Sequence, residues 1–374
     1  MKLVISLVVF LSVFLPHAVH AFPEMVRYGY VNCNSCHVSL TGAGVLNDYG
    51  REIAREKLAL FKSDDEKSKE QLFAYGALSD TSIEKYLKLG GDVRSVYYYQ
   101  NTDSVINANT IFMQGDLEGA FVKDKLTIDG TLGLEQLAPG QNLTFLSRRH
   151  YVQYAFTDEY NIRVGKYAPA YGIRNTEHPF ITRDPLQFGD NFESYNLELS
   201  YITDKWNVFL TGVFGRFDSK QADQDRGGTA QVAFAPTEKL KVGLNGWYGQ
   251  QESGNKRWVM GTFGTLGLTP KIYLGSEIDF QFLSPGASLP SRNGIASTQK
   301  LSYELLEGLW IALVQEYGKF DFSQSITQAD NYGIEVQIYP RSHFEFNIAA
   351  ETERMPGGDP NFGNYFWFAS HFYL

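Results

Sequence analysis

From residue 85 onward, apolar and polar residues alternate with a period of two. In KIYLGSEIDFQF, Ile272, Leu274, Ile278, Phe280 and Phe282 fall on one side, while Lys271, Tyr273, Glu277, Asp279 and Gln281 fall on the other. Extended backbone sends successive side chains to opposite faces, so this segment predicts a strand with one apolar and one wet face. The same division recurs in KLKVGLNGWYG, where Leu240, Val242 and Leu244 oppose Lys241 and Asn245. It recurs again in HFEFNIAAETE, where Phe344, Phe346 and Ile348 oppose His343, Glu345 and Asn347. Counting such segments predicts about 16 strands over residues 85–374.

The connections alternate in length. VKDK, TDEY, TDK, APTEK, LTPK, LEG and YPRS are short, and between them lie longer loops, the longest over residues 168–192. Short turns at one end and long loops at the other are the signature of an outer-membrane barrel. A water-soluble sandwich or propeller also alternates, but it does not require this ordering of connections. The predicted fold is therefore all-β: an antiparallel transmembrane β-barrel of about 16 strands, preceded by a small, mostly helical unit. An even strand count sends both ends of the barrel chain to the periplasmic side. The last segment, GNYFWFASHFYL, resembles the aromatic terminal strand of outer-membrane proteins, with Leu374 where Phe is more usual. The composition agrees: 23 Tyr, 27 Phe and 35 Gly accompany a mean hydropathy of −0.26, which suits half-wet strands rather than buried parallel ones.

The first residues follow a different logic. Lys2, the apolar run LVISLVVFLSVFL and Val19-His20-Ala21 predict an export signal over residues 1–21, too short to span a membrane as a helix. Its removal leaves 32 basic against 42 acidic residues, a net charge of −10 that speaks against a nucleic-acid partner. Residues 22–61 form a separate unit. A short helix is expected after Asn47 or Asp48, with Ile53, Leu58 and Phe61 on its apolar face and Arg51, Glu52, Arg55 and Glu56 in water. Residues 62–84 read as a charged linker.

Both cysteines fall in CNSCH. A disulfide across two residues closes a loop too small to stabilise much, and neither a redox βαβ context nor two further zinc ligands are present in the sequence. Two thiols at this spacing reach the vinyl groups of one porphyrin and leave the next imidazole beneath the iron. The expected cofactor is one covalent haem c, with Cys33 and Cys36 as thioethers and His37 as the proximal ligand. For the sixth iron position, His178 in the long loop is the leading candidate, with Arg174 or Arg183 to meet the haem carboxylates. His371 and His343, both expected to point into the lumen at the periplasmic end, and Met25 are alternatives.

An N-terminal CxxCH unit followed by such a barrel resembles the fused monohaem c-type cytochrome-porins of the bacterial outer membrane, a group that includes iron-oxidising cytochromes. Only Cys33, Cys36 and His37 match residue by residue. The resemblance implies electron transfer rather than conventional enzyme catalysis. It implies an extracellular donor, with ferrous iron as a metal-ion example, a periplasmic carrier such as a soluble cytochrome, and contact with outer-membrane lipid. The alternative expectation is a solute porin whose haem unit acts as plug, gate or sensor.

Overall fold

The computed structural model describes residues 23–63, 85–102, 106–136, 139–174, 180–189, 192–218, 224–286, 290–354 and 361–374. The export signal, most of the linker and His178 lie outside the described residues. Within them, the alternating segments form β1 (Leu87–Asn101), β2 (Ile106–Lys123), β3 (Leu126–Glu135), β4 (Thr144–Leu146), β5 (His150–Ala155) and β6 (Tyr160–Tyr167). They continue as β7 (Ser194–Ile202), β8 (Trp206–Val213), β9 (Arg226–Thr237), β10 (Leu240–Gln250), β11 (Lys256–Thr269) and β12 (Ile272–Ser284). The wall is completed by β13 (Arg292–Leu306), β14 (Leu309–Lys319), β15 (Gln328–Ile338), β16 (Phe344–Arg354) and β17 (Gly363–Tyr373).

Each strand pairs antiparallel with its neighbours, and β1 meets β17 across the seam, Asp92 opposite Tyr373 through Asn101 opposite Asn364. Closure leaves no edge whose unpaired amides would face hydrocarbon. β4 and β5 lie end to end along β3, so the 17 segments make 16 staves. The break between them has a local cause. Thr131 donates through its backbone N–H and its hydroxyl to the Arg149 carbonyl, at 2.8 and 3.0 Å, and its hydroxyl oxygen accepts from Arg149 N. Regular pairing stops there, and the interruption turns Arg149 inward onto Glu118.

The polarity of the wall is the reverse of a water-soluble fold. Leu117 is 70% exposed and Leu244 66%, whereas Asp279 and Glu335 are fully buried. Among the described residues, carboxylates and guanidinium groups fill the inside, and Leu, Val, Ile and Phe face out. Such an apolar exterior is stable in a bilayer. The alternation predicted for the three segments above is borne out: Phe280 and Phe282, Val242 and Leu244, and Phe344 are exposed, while Asp279, Asn245 and Glu345 are buried. Both ends of the wall chain meet at the short-turn mouth, where Leu374 N donates to the Gly91 carbonyl at 2.9 Å.

Residues 23–63 occupy the lumen at that mouth. Asn32 Nδ2 donates to the Thr203 carbonyl in the β7–β8 turn (3.0 Å), Arg163 of β6 donates to Ser39 (3.2 Å), and Leu60 N donates to the Tyr339 carbonyl (2.8 Å). Arg27 is buried over the Trp310 ring, its guanidinium carbon 4.2 Å from the centroid, and pairs with Glu304 at 3.4 Å. Lys88 of β1 pairs with Asp48 at 2.8 Å. The unit therefore touches staves all round the barrel. Gly267 of β11 permits one of the tightest approaches, since a Cβ there would lie 2.3 Å from Arg27 Cα.

The helix begins as expected, over Asp48–Ile53, with Asn47 accepting from Gly50 N at 2.8 Å as its N-cap. It continues as a wider turn, Ala54–Leu58. Its predicted wet face needs correction: Arg51 and Arg55 are buried, while Phe61 is 63% exposed. The reason is the enclosure. A helix inside a polar lumen has no single solvent side, and Arg51 finds the Leu89 carbonyl of the wall.

Candidate functional site

CNSCH lies where the N-terminal unit faces the lumen. Cys33–Ser35 is one turn of 3-10 helix, and His37 N and Cys36 N both donate to the Cys33 carbonyl, at 3.0 and 3.2 Å. This turn holds two thiols that form no disulfide, together with the imidazole, in one cluster. Gly42 closes over them with φ +79°, and a Cβ there would come within 3.3 Å of Cys33 Sγ. The His37 Nδ1 lies 3.4 Å from the Gly44 carbonyl, which leaves Nε2 as the nitrogen free to ligate. Burial pushes the His37 pKa down to about 4, so the ring keeps a lone pair at neutral pH.

Above this cluster is a cavity of about 250 Å³. Its floor is Met25, Cys33, Cys36 and His37, its walls include Phe209, Lys241, Phe263 and His371, and its ceiling is Pro169–Arg174 from the long β6–β7 connection. That connection folds into the barrel. Tyr171, Ile181, Leu186 and Phe188 pack against Trp247, Val259, Ala296 and Ala329 of the inner wall. Arg183 pins it, with its guanidinium on both Glu277 oxygens, at 3.0 and 2.6 Å, and the Tyr171 hydroxyl donates to Asp279 at 2.7 Å.

The predicted site residues separate accordingly. Cys33, Cys36, His37, Met25, His371 and Arg174 all line the cavity. Arg183 is absent from its lining, because Glu277 and the Ile173 carbonyl engage it, so its expected role toward the haem carboxylates is withdrawn. His371 points inward as expected, but both ring nitrogens are engaged, Nε2 with Asp92 (2.8 Å) and Nδ1 with Glu345 (3.1 Å). His343 sits close by, the two histidine rings lying 5.5 and 5.1 Å from that of Tyr373, but it is buried and does not line the cavity.

Three groups escaped the sequence reading. Arg148 and Arg149 reach the cavity through the β4–β5 break, and Lys241 does so from β10, donating to the Val31 carbonyl at 2.7 Å. Alternation marks Lys241 no differently from any other inward strand residue, Arg148 and Arg149 lie in a break that alternation does not show, and register sets which groups stand level with CNSCH.

No family model matches the chain, and no curated protein matches it. Solved structures do. OmpT of Vibrio cholerae aligns with a TM-score of 0.62 at 11% identity, covering 77% of this chain and 97% of that one. OprB of Pseudomonas putida aligns at 0.61 with 8% identity, covering 85% and 99%. An anion-selective porin from Comamonas acidovorans aligns at 0.59 with 11% identity, covering 77% and 99%. At these identities the likeness concerns the fold: this chain is a 16-stave porin-type barrel, and the reversed polarity of its wall suits a bilayer.

Proposed function

We propose that this protein transfers electrons at the outer membrane through one haem c bound to Cys33 and Cys36, with His37 as the proximal ligand. The donor would be extracellular, ferrous iron among the candidates, and the acceptor a periplasmic carrier such as a soluble cytochrome. The observation that carries this reading is the cavity between CNSCH and the lumen wall, inside a barrel whose short-turn mouth holds residues 23–63. The residues suit the group. The thiols form no disulfide and adjoin the cavity, Gly42 keeps the space over Cys33 clear, and the Gly44 carbonyl orients a neutral imidazole. When bound, haem supplies a one-electron couple. The protein's part is to hold it, keep bulk water from it through the apolar floor of Met25, Leu46 and Leu58, and position it within the lumen.

A second reading, a solute porin in which residues 23–63 serve as plug or gate, draws more direct support from the similar solved barrels, which are porins and channels. One experiment separates the two. Purified protein is placed in liposomes that hold a redox dye, and an impermeant reductant is added outside. Electron transfer predicts dye reduction without solute efflux. Efflux without dye reduction by protein carrying haem would overturn it in favour of the porin.

A further inference from the structure

We infer that Arg174 and Lys241 form a cationic clamp that receives the two carboxylates of the tetrapyrrole attached at Cys33 and Cys36. This rests on the haem reading above and specifies the residues that hold the group's polar edge.

Five cations line the cavity. Arg149 holds Glu118 through two hydrogen bonds at 2.9 and 2.7 Å, and Arg148 holds Asp116 and Glu135 at 3.1 and 2.7 Å. Arg94 lies 3.6 Å from Asp92. The remaining two differ. Among the described residues, Arg174 has no hydrogen bond or ion pair, and the Glu193 carboxylate acts on it only from beyond contact range. Lys241 donates to the Val31 carbonyl and meets no carboxylate. Both are half-buried, and both line the same cavity as Cys33. Burial lowers the Arg174 pKa to about 10, so it stays charged at neutral pH.

A half-buried cation that contacts no carboxylate among the described residues is under-compensated, and an anion within the cavity relieves that cost. The shape of the site selects the anion. It must lie beside two thiols and an imidazole, carry more than one carboxylate, and present an apolar body to Phe209, Phe263 and Leu40. A haem with its two propionates meets all three conditions. Guanidinium and ammonium groups make charge-assisted hydrogen bonds to such carboxylates.

The test is potentiometric titration of the full chain loaded with haem, comparing R174Q, K241Q and the double variant with R174K, K241R and the exposed-turn control K271Q. A cation beside the carboxylates favours the reduced haem, so each neutralised charge should shift the midpoint to a more negative potential. The double variant should shift furthest, and the charge-preserving variants and the control should stay at the wild-type value. An unchanged midpoint in the double variant with full haem content overturns the clamp and leaves the haem reading standing. Absence of covalent haem from the wild-type chain, by pyridine haemochrome assay after expression with haem-attachment machinery, overturns both. Should the glutamine variants fail to fold, resonance Raman of the wild type decides: a propionate bending band typical of ion-paired carboxylates supports the clamp, and one typical of free carboxylates overturns it.

Discussion

At the scale of single residues, the site depends on groups whose lone pairs remain available. His371 has spent both nitrogens on Asp92 and Glu345, and His343 does not line the cavity. Met25 is 1% exposed and lines the cavity beside CNSCH, so of the sixth-ligand candidates within the described residues it alone offers an uncommitted donor there. Met25→Leu is expected to open the sixth position, seen as carbon monoxide binding to the reduced protein and loss of the near-infrared sulfur-to-iron band. His371→Gln should leave that band in place. If M25L keeps a low-spin spectrum, the ligand lies elsewhere, and His178 becomes the residue to substitute. The proximal side is simpler: Cys33→Ala with Cys36→Ala should abolish covalent haem while leaving a folded barrel, because neither thiol belongs to a stave.

At the scale of elements, the N-terminal unit and the wall hold each other. The unit's helix is short, and capping by Asn47 and contacts with the lumen compensate for its length. Asn47→Ala should cost about 1 kcal/mol of local stability. Faster amide exchange over residues 48–58 than in β10 would show it, and unchanged exchange would count against the cap. Gly267→Ala acts from the other partner. Its Cβ would fall 2.3 Å from Arg27 Cα, so the unit must move off the wall. The expected result in planar bilayers is a larger single-channel conductance than the parent. Equal conductance would mean that the unit does not close this mouth.

At the scale of the whole molecule, the bilayer is the solvent that sorts side chains. Leu244 is 66% exposed on β10, its neighbour Asn245 is buried in the lumen, and the two are equivalent in sequence position. Leu244→Arg should cost about 2–4 kcal/mol if it sits near the bilayer midplane, less toward the interfaces. The readout is a lower temperature for loss of the heat-modifiable folded band on gels. Asn245→Ala, which removes an inward amide, should change that temperature much less.

The sequence by itself determined the strand count, the turns, the face that each strand shows to lipid, and the CNSCH cluster. These are local properties: a period of two, a turn of a few residues, and thiols one turn apart each need only their neighbours. The tertiary structure decided that residues 23–63 sit within the barrel lumen, that Arg51 and Arg55 are buried there, and that Arg183 serves the inward loop rather than the cavity. It also decided which inward residues stand level with His37. Lys241 looks like any other lumen-facing cation in a strand, Arg149 lies in the break between β4 and β5, and only the register of sixteen staves, together with that break, brings both to the cavity. Register is a property of the closed sheet, with partners far apart in the chain, so no single strand's pattern contains it.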